Sequence, residues 1–383
     1  MHIAFLTPEY PHVKTGAAGG IGTSIKNLAE SLVALGHTVR ILVYGQKVDA
    51  VFEEDGIILQ QIKNVKIKGL SWYFTRKKLQ GIIDDLYDKQ LLDIVEAPDW
   101  TGITSFVQPK KCPIVIKLHG SDTYFCHLDK RNVKWWNRFH EERALLKADG
   151  HCSVSAYTAN LTNALFKLNI NFSIIHNGVD VDSFSSNNDK EIDKPIILYF
   201  GTLIPKKGLL ELPLIFNKVV EQFPEAQLHL VGGDSPDIMS GGSSTWALMQ
   251  KLFSDVALKN TVYHGKVAYS EMQNQIKEAA VCVFPTFAEA LPVSWLEAMA
   301  MQKAVVASEI GWGPEVIEHN LSGILVHPKD HQKYADYIVD VLQNENFRNK
   351  LGENGRKRVE EKFNSETISQ QNIVFYQSII NKR

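Results

Sequence analysis

The feature that most constrains this chain is an alternation between short apolar runs and longer segments with helical periodicity. Residues 2–7 form a run of strand length, and residues 23–35 place their apolar side chains on one face of a helix. Strands that alternate with helices favour βαβ units, in which helices cover both faces of a parallel sheet. The alternation continues through both halves of the chain and predicts an α/β fold.

The same patterns give the positions of the individual elements. In the first half, strands are predicted at residues 2–7, 38–44, 92–96, 114–119, 151–154 and 173–176, and helices at 23–35, 72–87, 133–147 and 156–168. In the second half, strands are predicted at residues 196–200, 227–231, 262–265, 281–284, 304–307 and 323–326, with helices between them and after them at 347–362 and 367–380.

A polar stretch at residues 185–194 interrupts the alternation. Its serine, asparagine and charged side chains supply little material for a core, which is typical of a linker between domains. We therefore predict a Rossmann-like domain over residues 1–184, the linker over 185–194 and a second Rossmann-like domain over 195–364, with a helix within 365–383 that packs back on the first domain. Ligands of such sheets bind at the carboxyl ends of the strands, so two domains facing across a cleft would line that cleft with strand ends.

Charge and composition exclude several classes of function. The chain has 41 basic and 43 acidic residues, and a net charge of -2 lacks the basic excess of a dedicated nucleic-acid-binding protein. No run reaches the roughly 18 apolar residues that a bilayer crossing needs. Met1 leads directly into the first strand without a signal sequence, and the four cysteines are scattered without a C-x-x-C pair. We expect a cytoplasmic protein whose membrane contact, if it has one, is peripheral at the inner face.

The most informative segment joins the predicted strand at 281–284 to the helix that follows. Glu289 lies in the loop, and Glu297 comes eight residues later in a helix that begins near Pro292. Proline suits a first helical position because its φ is fixed and it has no N–H. The free N–H groups of a first helical turn and the positive end of the helix dipole suit a diphosphate. The predicted contacts to such a ligand are Ala290, Leu291, Pro292, Val293 and Glu297, with Glu289 placed to accept hydrogen bonds from sugar hydroxyls.

Taken alone, two glutamates eight residues apart are also common on protein surfaces. In its context the segment resembles the E-x7-E signature of retaining glycosyltransferases of family 4, which have the GT-B fold of two Rossmann-like domains facing across a cleft. Residues 201–208 resemble the family's G-R-L-x-x-K-K-G loop. The resemblance implies that Lys207 pairs with the donor diphosphate and that Thr202 and Lys206 also contact the donor. Thr202 stands where the family usually has arginine, so one cation is missing, and substitution by Lys206 is left open.

A glycine-rich segment at residues 16–22 follows the first strand and opens a helix. Glycines there let backbone approach a phosphate or sugar closely. A dinucleotide site would need a third glycine where Ile25 stands, and an acidic residue at the end of the second strand, which is instead Val43-Tyr44-Gly45. The segment resembles the family's G-G-x-G element, which implies that Gly20 and Gly22 lie near the donor.

Two predicted strand ends in the first domain carry candidate site residues. His119 ends the strand at 114–119; a lone histidine there is often structural, but the family has a histidine at this position that contacts the donor sugar, and the resemblance implies that role. Glu96 ends the strand at 92–96 and is a candidate to hydrogen-bond an acceptor hydroxyl.

Two further patterns are typical of sites for other ligands. Asp180-Val181-Asp182 is a D-x-D tripeptide, which holds a divalent cation in metal-dependent sugar transferases, but it lies in a segment resembling the family's N-G-V-D loop, so we expect no metal and no cofactor. Residues 130–139 combine basic and aromatic side chains on a predicted helix. Core packing with a solvated basic rim is one interpretation, and contact with anionic lipid or stacking on an acceptor sugar is the other.

The resemblance implies an enzyme that transfers a hexose-type sugar, with retention, from a UDP- or GDP-sugar to a hydroxyl of a glycan, a glycolipid or a small-molecule acceptor. The second domain would hold the donor, and His119, Glu289 and Lys207 would be the catalytic residues. Two alternatives stay open: a nucleotide-sugar epimerase of the same fold, and a non-catalytic partner that binds a nucleotide sugar.

Overall fold

The chain divides into two structural units, of which the first is formed by two separate stretches of the sequence. A computed structural model describes residues 1–16, 19–184, 195–237 and 241–382, so the predicted linker at 185–194 lies outside the described residues. The first unit comprises Met1–Gly178 together with Ser365–Arg383, and the second unit comprises Val179–Asn364.

The described strands and helices follow one another in the order expected of repeated βαβ units. The strands are β1 His2–Thr7, β2 Thr38–Gln46, β3 Ala50–Glu54, β4 Ile57–Lys63, β5 Ile94–Pro98, β6 Ile114–Leu118, β7 Gly150–Ser153, β8 Ser173–Ile174, β9 Ile196–Phe200, β10 Gln227–Val231, β11 Thr261–Gly265, β12 Val281–Phe284, β13 Ala304–Ser308 and β14 Ile324–Val326. The helices are α1 Gly20–Ala34, α2 Ser71–Asp88, α3 Asp122–Leu128, α4 Trp135–Lys147, α5 Ala156–Phe166, α6 Leu212–Gln222, α7 Thr245–Gln250, α8 Asp255–Lys259, α9 Tyr269–Glu278, α10 Val293–Ala300, α11 Gly313–Val316, α12 His331–Gln343, α13 Glu345–Lys362 and α14 Ser365–Ile380, with short 3-10 segments at Trp100–Phe106 and Pro205–Lys207.

The first unit is built on a sheet with the order β3-β4-β2-β1-β5-β6-β7-β8 within the described residues. All neighbours are parallel except β3, which runs antiparallel to β4. Alternate residues of β1 enter two separate cores: Ile3 and Phe5 pack with α1 and α14, while Ala4 and Leu6 pack with α2 and α5. Helices therefore cover both faces of the sheet, and α14 belongs to the core of the first unit.

The boundary between the units differs from the sequence prediction. Residues 179–184, expected in the first domain, group with the second unit. The N–H of Val179 donates to the carbonyl of Phe363 at 2.9 Å, and the Arg356 guanidinium donates to the carbonyls of Val181 and Phe184 at 2.8 and 2.7 Å. These residues are fixed by the end of α13, which lies far away in the sequence.

The second unit is a parallel sheet whose described strands have the order β11-β10-β9-β12-β13-β14. Strands β9 and β12 are direct neighbours in the middle of this sheet, with Val281 opposite Ile197 and Cys282 opposite Leu198. Their carboxyl ends therefore lie side by side, and the loops that follow them meet. Within the described residues, none of the helices of either unit combines the length and hydropathy that a bilayer crossing requires.

Candidate functional site

The site in the second unit begins with two loops that are held in contact. The N–H groups of Phe287 and Ala288 both donate to the carbonyl of Lys206, at 2.9 and 3.2 Å. Gly208 has a φ of +75°, and a Cβ at this position would lie 1.7 Å from the carbonyl oxygen of Pro285. Only glycine permits this approach, because any side chain would collide with backbone. The loop after β9 is thereby fixed against the loop after β12.

An ion pair joins these two loops. Lys207 Nζ lies 2.8 Å from Glu289 Oε1, with both side chains partly accessible. Burial is the largest single influence and would lower the pKa of Lys207, but Glu289, Tyr199 and Glu297 together outweigh it, and the pKa is raised overall. A Cβ placed on Gly201 would lie 3.2 Å from Tyr199 Oη and 3.6 Å from Lys207 Nζ, so the ammonium lies beside this glycine. The pair thus supplies a permanently charged cation and an anion at the end of the sheet.

Glu297 lies behind this pair in α10 and is only 5% exposed. The Tyr269 hydroxyl donates to Glu297 Oε1 at 2.6 Å. Burial raises the pKa of Glu297 to about 7, and the hydrogen bond from Tyr269 and the charge of Lys207 limit the rise. The carboxyl therefore changes protonation near neutral pH, where ligand hydroxyls or phosphates can select one form.

The turn between the two glutamates is largely buried. Ala290 and Leu291 are each 4% exposed, and Pro292 is also buried. Pro292 precedes the helix instead of opening it, since its ψ of 120° is extended and α10 begins at Val293. The backbone N–H groups of a first helical turn have no acceptor within the helix, which leaves this turn suited to an anion.

The remaining residues predicted around the donor lie on the loop after β9. Thr202 is exposed, and its carbonyl accepts a hydrogen bond from the Tyr199 hydroxyl at 3.0 Å. Lys206 is partly buried next to Lys207. The structure thus brings Thr202, Lys206 and Lys207, which follow β9, to the same end of the sheet as Glu289, which follows β12.

In the first unit, His119 follows β6 and is tied to a neighbouring strand end. Its backbone N–H donates to Asp99 Oδ1 at 2.9 Å. Burial, assisted by the charge of Lys117, lowers the pKa of His119 to about 3, so the imidazole is neutral. Asp99 is itself buried, and burial raises the pKa of its carboxyl to about 7.

Gly20 and Gly22 lie in the first turn of α1. The N–H of Gly22 donates to Glu9 Oε1 at 3.1 Å, which uses one of the free donors of this helix end. A Cβ on Gly20 would meet no atom within 4 Å, so this position is open. Residues 17 and 18 of the glycine-rich segment lie outside the described residues.

Glu96 does not have the position expected of an acceptor contact. Its carboxylate is buried and accepts a hydrogen bond from the Tyr376 hydroxyl at 2.6 Å. Tyr376 belongs to α14, which covers this part of the sheet. The structure corrects the assignment: Glu96 holds the C-terminal helix and is closed to a ligand.

The D-x-D tripeptide closes a turn. The carboxylate of Asp180 accepts hydrogen bonds from the N–H groups of Asp182 and Ser183, at 3.0 and 3.1 Å, and from the Ser183 hydroxyl. Burial alone would raise the pKa of Asp180, but these hydrogen bonds lower it below its usual value. Across the part of the chain that the structure describes, no three potential metal ligands cluster together.

The segment at residues 130–139, which combines basic and aromatic side chains, does not pack its aromatic rings into a core. Trp135, Trp136 and Phe139 are exposed on α4, so the core-packing interpretation is wrong for these three rings.

Sequence reasoning missed three residues at these sites. Tyr269 and Tyr199 place hydroxyls beside Glu297 and Lys207, and Asp99 holds the backbone of His119. Tyr269 is 28 residues away from its partner, and no local pattern marks it. Asp99 is different, because an acidic residue directly after a buried strand is a recognisable signal.

Comparison with known families decides the identity of the fold. The family model described as "Glycosyl transferases group 1" matches residues 180–358, and the model described as "Glycosyltransferase Family 4" matches residues 18–183. The chain belongs to the family 4 glycosyltransferases. The predicted family and the α/β GT-B fold class are both confirmed.

Individual relatives agree with this family. The glycosyltransferase is 26% identical to an uncharacterised glycosyltransferase of Methanocaldococcus jannaschii over 98% of both chains. Its fold is similar to that of a sucrose-phosphate synthase from Thermosynechococcus elongatus, with a TM-score of 0.81, 22% identity and full coverage of both chains (100% each). It is also similar to the Anabaena protein HepE in complex with UDP and glucose, with a TM-score of 0.76, 19% identity and coverage of 99% and 100%.

Proposed function

We propose that this glycosyltransferase transfers a hexose from a nucleoside diphosphate sugar to an acceptor hydroxyl, with retention at the anomeric carbon and without a metal ion. The observation that carries the proposal is the Lys207–Glu289 ion pair at 2.8 Å, on loops that also position Glu297 and the first turn of α10. A cation beside a helix N-terminus suits a diphosphate, and the adjacent carboxylate suits sugar hydroxyls.

Donor binding changes the partners of this ion pair. The diphosphate competes with Glu289 for the Lys207 ammonium, because it brings a larger negative charge to the same place. Glu289 is then available to accept hydrogen bonds from the sugar. Glu297, in its ionised form, accepts hydrogen bonds from the ribose hydroxyls.

The transfer step needs stabilisation of the leaving group more than a protein nucleophile. The bond from the anomeric carbon to the diphosphate oxygen breaks, and a bond to the acceptor oxygen forms on the same face of the sugar. The acceptor proton passes to the departing diphosphate. Lys207 and the first turn of α10 stabilise the charge that develops there. His119 in the first unit is neutral, so its ring can donate to and accept from hydroxyl groups without adding charge.

The hydrogen bonds of the D-x-D tripeptide support the metal-independent mechanism. Its first carboxylate, that of Asp180, accepts backbone N–H groups of its own turn. We expect full transfer activity in excess EDTA. Loss of activity there, with rescue by Mn²⁺ or Mg²⁺, would overturn this part of the proposal.

The donor is tested by thermal unfolding with UDP, GDP and their common hexose derivatives. UDP is the first candidate because HepE, of similar fold, was crystallised with UDP and glucose. A ligand at a hundredfold excess over its dissociation constant stabilises by about 2.7 kcal/mol, a readily measured shift. Stabilisation of the wild type but not of Glu289→Ala by the intact donor supports the proposal. Equal stabilisation of both would place the ligand elsewhere.

The same donor separates the alternatives. An epimerase converts the nucleotide sugar in the absence of an acceptor, and a binding partner leaves it unchanged with every acceptor. Release of free UDP or GDP only when a glycan, glycolipid or small acceptor is added supports transfer.

We also propose a cytoplasmic location. Cys112, Cys126, Cys152 and Cys282 are all buried, and Cys126, Cys152 and Cys282 are free thiols, as expected in a reducing compartment.

A further inference from the structure

The first unit exposes a group of aromatic rings on two segments, and four of them are in contact: Trp72, Trp135, Trp136 and Phe139. We call this group, together with four exposed lysines on or next to the same segments, the aromatic-basic face; it consists of Trp72, Phe74, Trp135, Trp136, Phe139, Lys66, Lys68, Lys130 and Lys134. Trp135 is 64% exposed and Trp136 is 50% exposed. The rings of Trp135 and Trp136 stack with their centroids 4.0 Å apart, and the ring centroids of Trp136 and Trp72 on α2 are 6.3 Å apart. Two segments that are distant in sequence therefore form one apolar surface.

This surface is held in place from behind. The buried Arg76 guanidinium donates to the carbonyls of Trp72 and Gly102, at 3.1 and 3.3 Å. The His140 ring stacks against Trp136 at 5.8 Å and hydrogen-bonds the Ser105 hydroxyl at 2.8 Å. These polar contacts behind the rings hold them at the surface. Exposed apolar area is unfavourable in water, and a contiguous exposed patch of this kind typically marks an interaction site.

The two segments that carry the rings are rich in lysine and arginine, although Arg76 is buried and ion pairs join Lys78 to Asp49 and Arg131 to Asp129. Residues 56–83, which carry Trp72 and Phe74, contain six lysines and arginines and no acidic residue. Residues 130–140, which carry the other three rings, contain four lysines and arginines and no acidic residue. The whole chain has a net charge of -2, so this concentration of positive charge is local.

We propose that the aromatic-basic face binds the surface of an anionic phospholipid bilayer. Indole rings favour the boundary between headgroups and acyl chains, because they join a large apolar area to one polar N–H. The lysine side chains can lie along the apolar boundary and place their ammonium groups on lipid phosphates. An anionic bilayer therefore offers both an apolar boundary for the rings and negative charges for the lysines. The proposal does not depend on which sugar or acceptor the enzyme uses.

Vesicle sedimentation with the full chain tests this proposal. We expect the protein to sediment with vesicles of phosphatidylglycerol and phosphatidylcholine in equal parts, and much less with pure phosphatidylcholine. Added salt should weaken the binding, since exposed charges are screened over a shorter distance at higher ionic strength. Equal binding to neutral and anionic vesicles, or no binding to either, would overturn the proposal.

Helix α4 offers matched control variants. Trp135→Ala and Lys134→Glu change the face. Leu146→Ala controls for the loss of an exposed apolar side chain, and Lys147→Glu controls for the reversal of an exposed charge, both at the other end of the helix. We expect each face variant to weaken vesicle binding about tenfold and each control to change it by less than about twofold. Unchanged thermal unfolding in all four variants shows that folding is intact.

Sedimentation velocity without lipid separates a second possible occupant. If the wild type dimerises and Trp135→Ala makes it monomeric while vesicle binding is unaffected by the face variants, the face is an interface between copies and the lipid proposal is wrong. Loss of vesicle binding in the face variants, with the wild type monomeric, supports it.

Discussion

In both units, charged side chains follow the ends of neighbouring parallel strands. The two units differ in how accessible these side chains are. In the second unit, Lys207 and Glu289 form a partly accessible pair that a ligand can reach. In the first unit, the Asp99 carboxylate is buried and accepts the backbone N–H of His119. A polar residue at a strand end is therefore available to a ligand only where its side chain remains accessible.

The largest effect is expected for Gly208→Ala in the second unit. The new methyl group would collide with the Pro285 carbonyl, which lies 1.7 Å from the Cβ position, and φ there is +75°. We expect the free energy of unfolding to fall by about 3 kcal/mol or more. Urea unfolding measures this change. Gly265→Ala is the matched control, because it has a φ of +69° and no atom within 4 Å, and it should cost only about 1 kcal/mol. Equal losses would show that the contact between the loops contributes nothing.

Removing the ion pair should affect chemistry more than folding. We expect Lys207→Ala and Glu289→Ala each to lower kcat/KM for transfer by about 10²-fold, the scale of losing a group that stabilises developing charge. Lys259→Ala, at the exposed end of α8, controls for the loss of a positive charge. Near-normal turnover in both site variants would remove the second unit from the chemistry.

The buried Asp99 should make the stability of the protein depend on pH. Its pKa rises from 3.8 in the unfolded chain to about 7 in the folded protein, so the folded state holds the proton more tightly. The free energy of unfolding of the wild type therefore falls as pH rises from 3.8 to about 7.

Asp99→Asn keeps an oxygen for the His119 N–H and cannot ionise. Relative to the wild type, it should gain stability over this interval by an amount on the order of a few kcal/mol. Chemical unfolding at several pH values measures the gain; parallel curves would show that the carboxyl is already ionised or solvated. Asp88→Asn, an exposed change, serves as the control.

The smallest effect is expected for Tyr269→Phe. The lost hydroxyl stabilises the ionised form of Glu297, so the pKa of that carboxyl should rise above about 7. If the ionised form binds the ribose, nucleotide affinity near neutral pH should fall about tenfold, as expected for a hydrogen bond to a charged group. Titration calorimetry should show this deficit shrinking at higher pH, where Glu297 ionises again. A deficit that is the same at every pH would mean that Tyr269 acts through packing. Tyr337→Phe, on α12, is the matched control.

Much of the fold follows from local patterns, and the exceptions have physical causes. Every predicted strand of both halves overlaps an observed strand, and most of these strands are short, buried apolar runs of a parallel sheet. The hairpin of β3 and β4 was missed although Asp55-Gly56 marks it: both residues have a positive φ, 51° and 74°, as a tight hairpin turn requires. Helix α3 was missed because it is short, although Ser121 caps it through the N–H of Tyr124.

The candidate site was predictable only where its residues are close in sequence. Glu289, Glu297 and Lys207 stand in recognisable loops, whereas the contact between Tyr269 and Glu297 arises only after folding. Glu96 shows the opposite error. Its position at a strand end is typical of a ligand contact, but a tyrosine 280 residues further along covers it. Sequence spacing cannot reveal which strand ends a distant helix will cover.

Because α14 completes the core around β1, the first unit cannot finish folding on the ribosome until residues beyond 364 have emerged. Until then the sheet lacks the apolar contacts of Ile368, Phe375 and Ile379, and the Glu96 carboxylate lacks its hydroxyl donor. The second unit is continuous in sequence and can mature while translation is still under way. The part of the protein that is synthesised first is therefore the last to be completed, and it is the part most in need of chaperone protection.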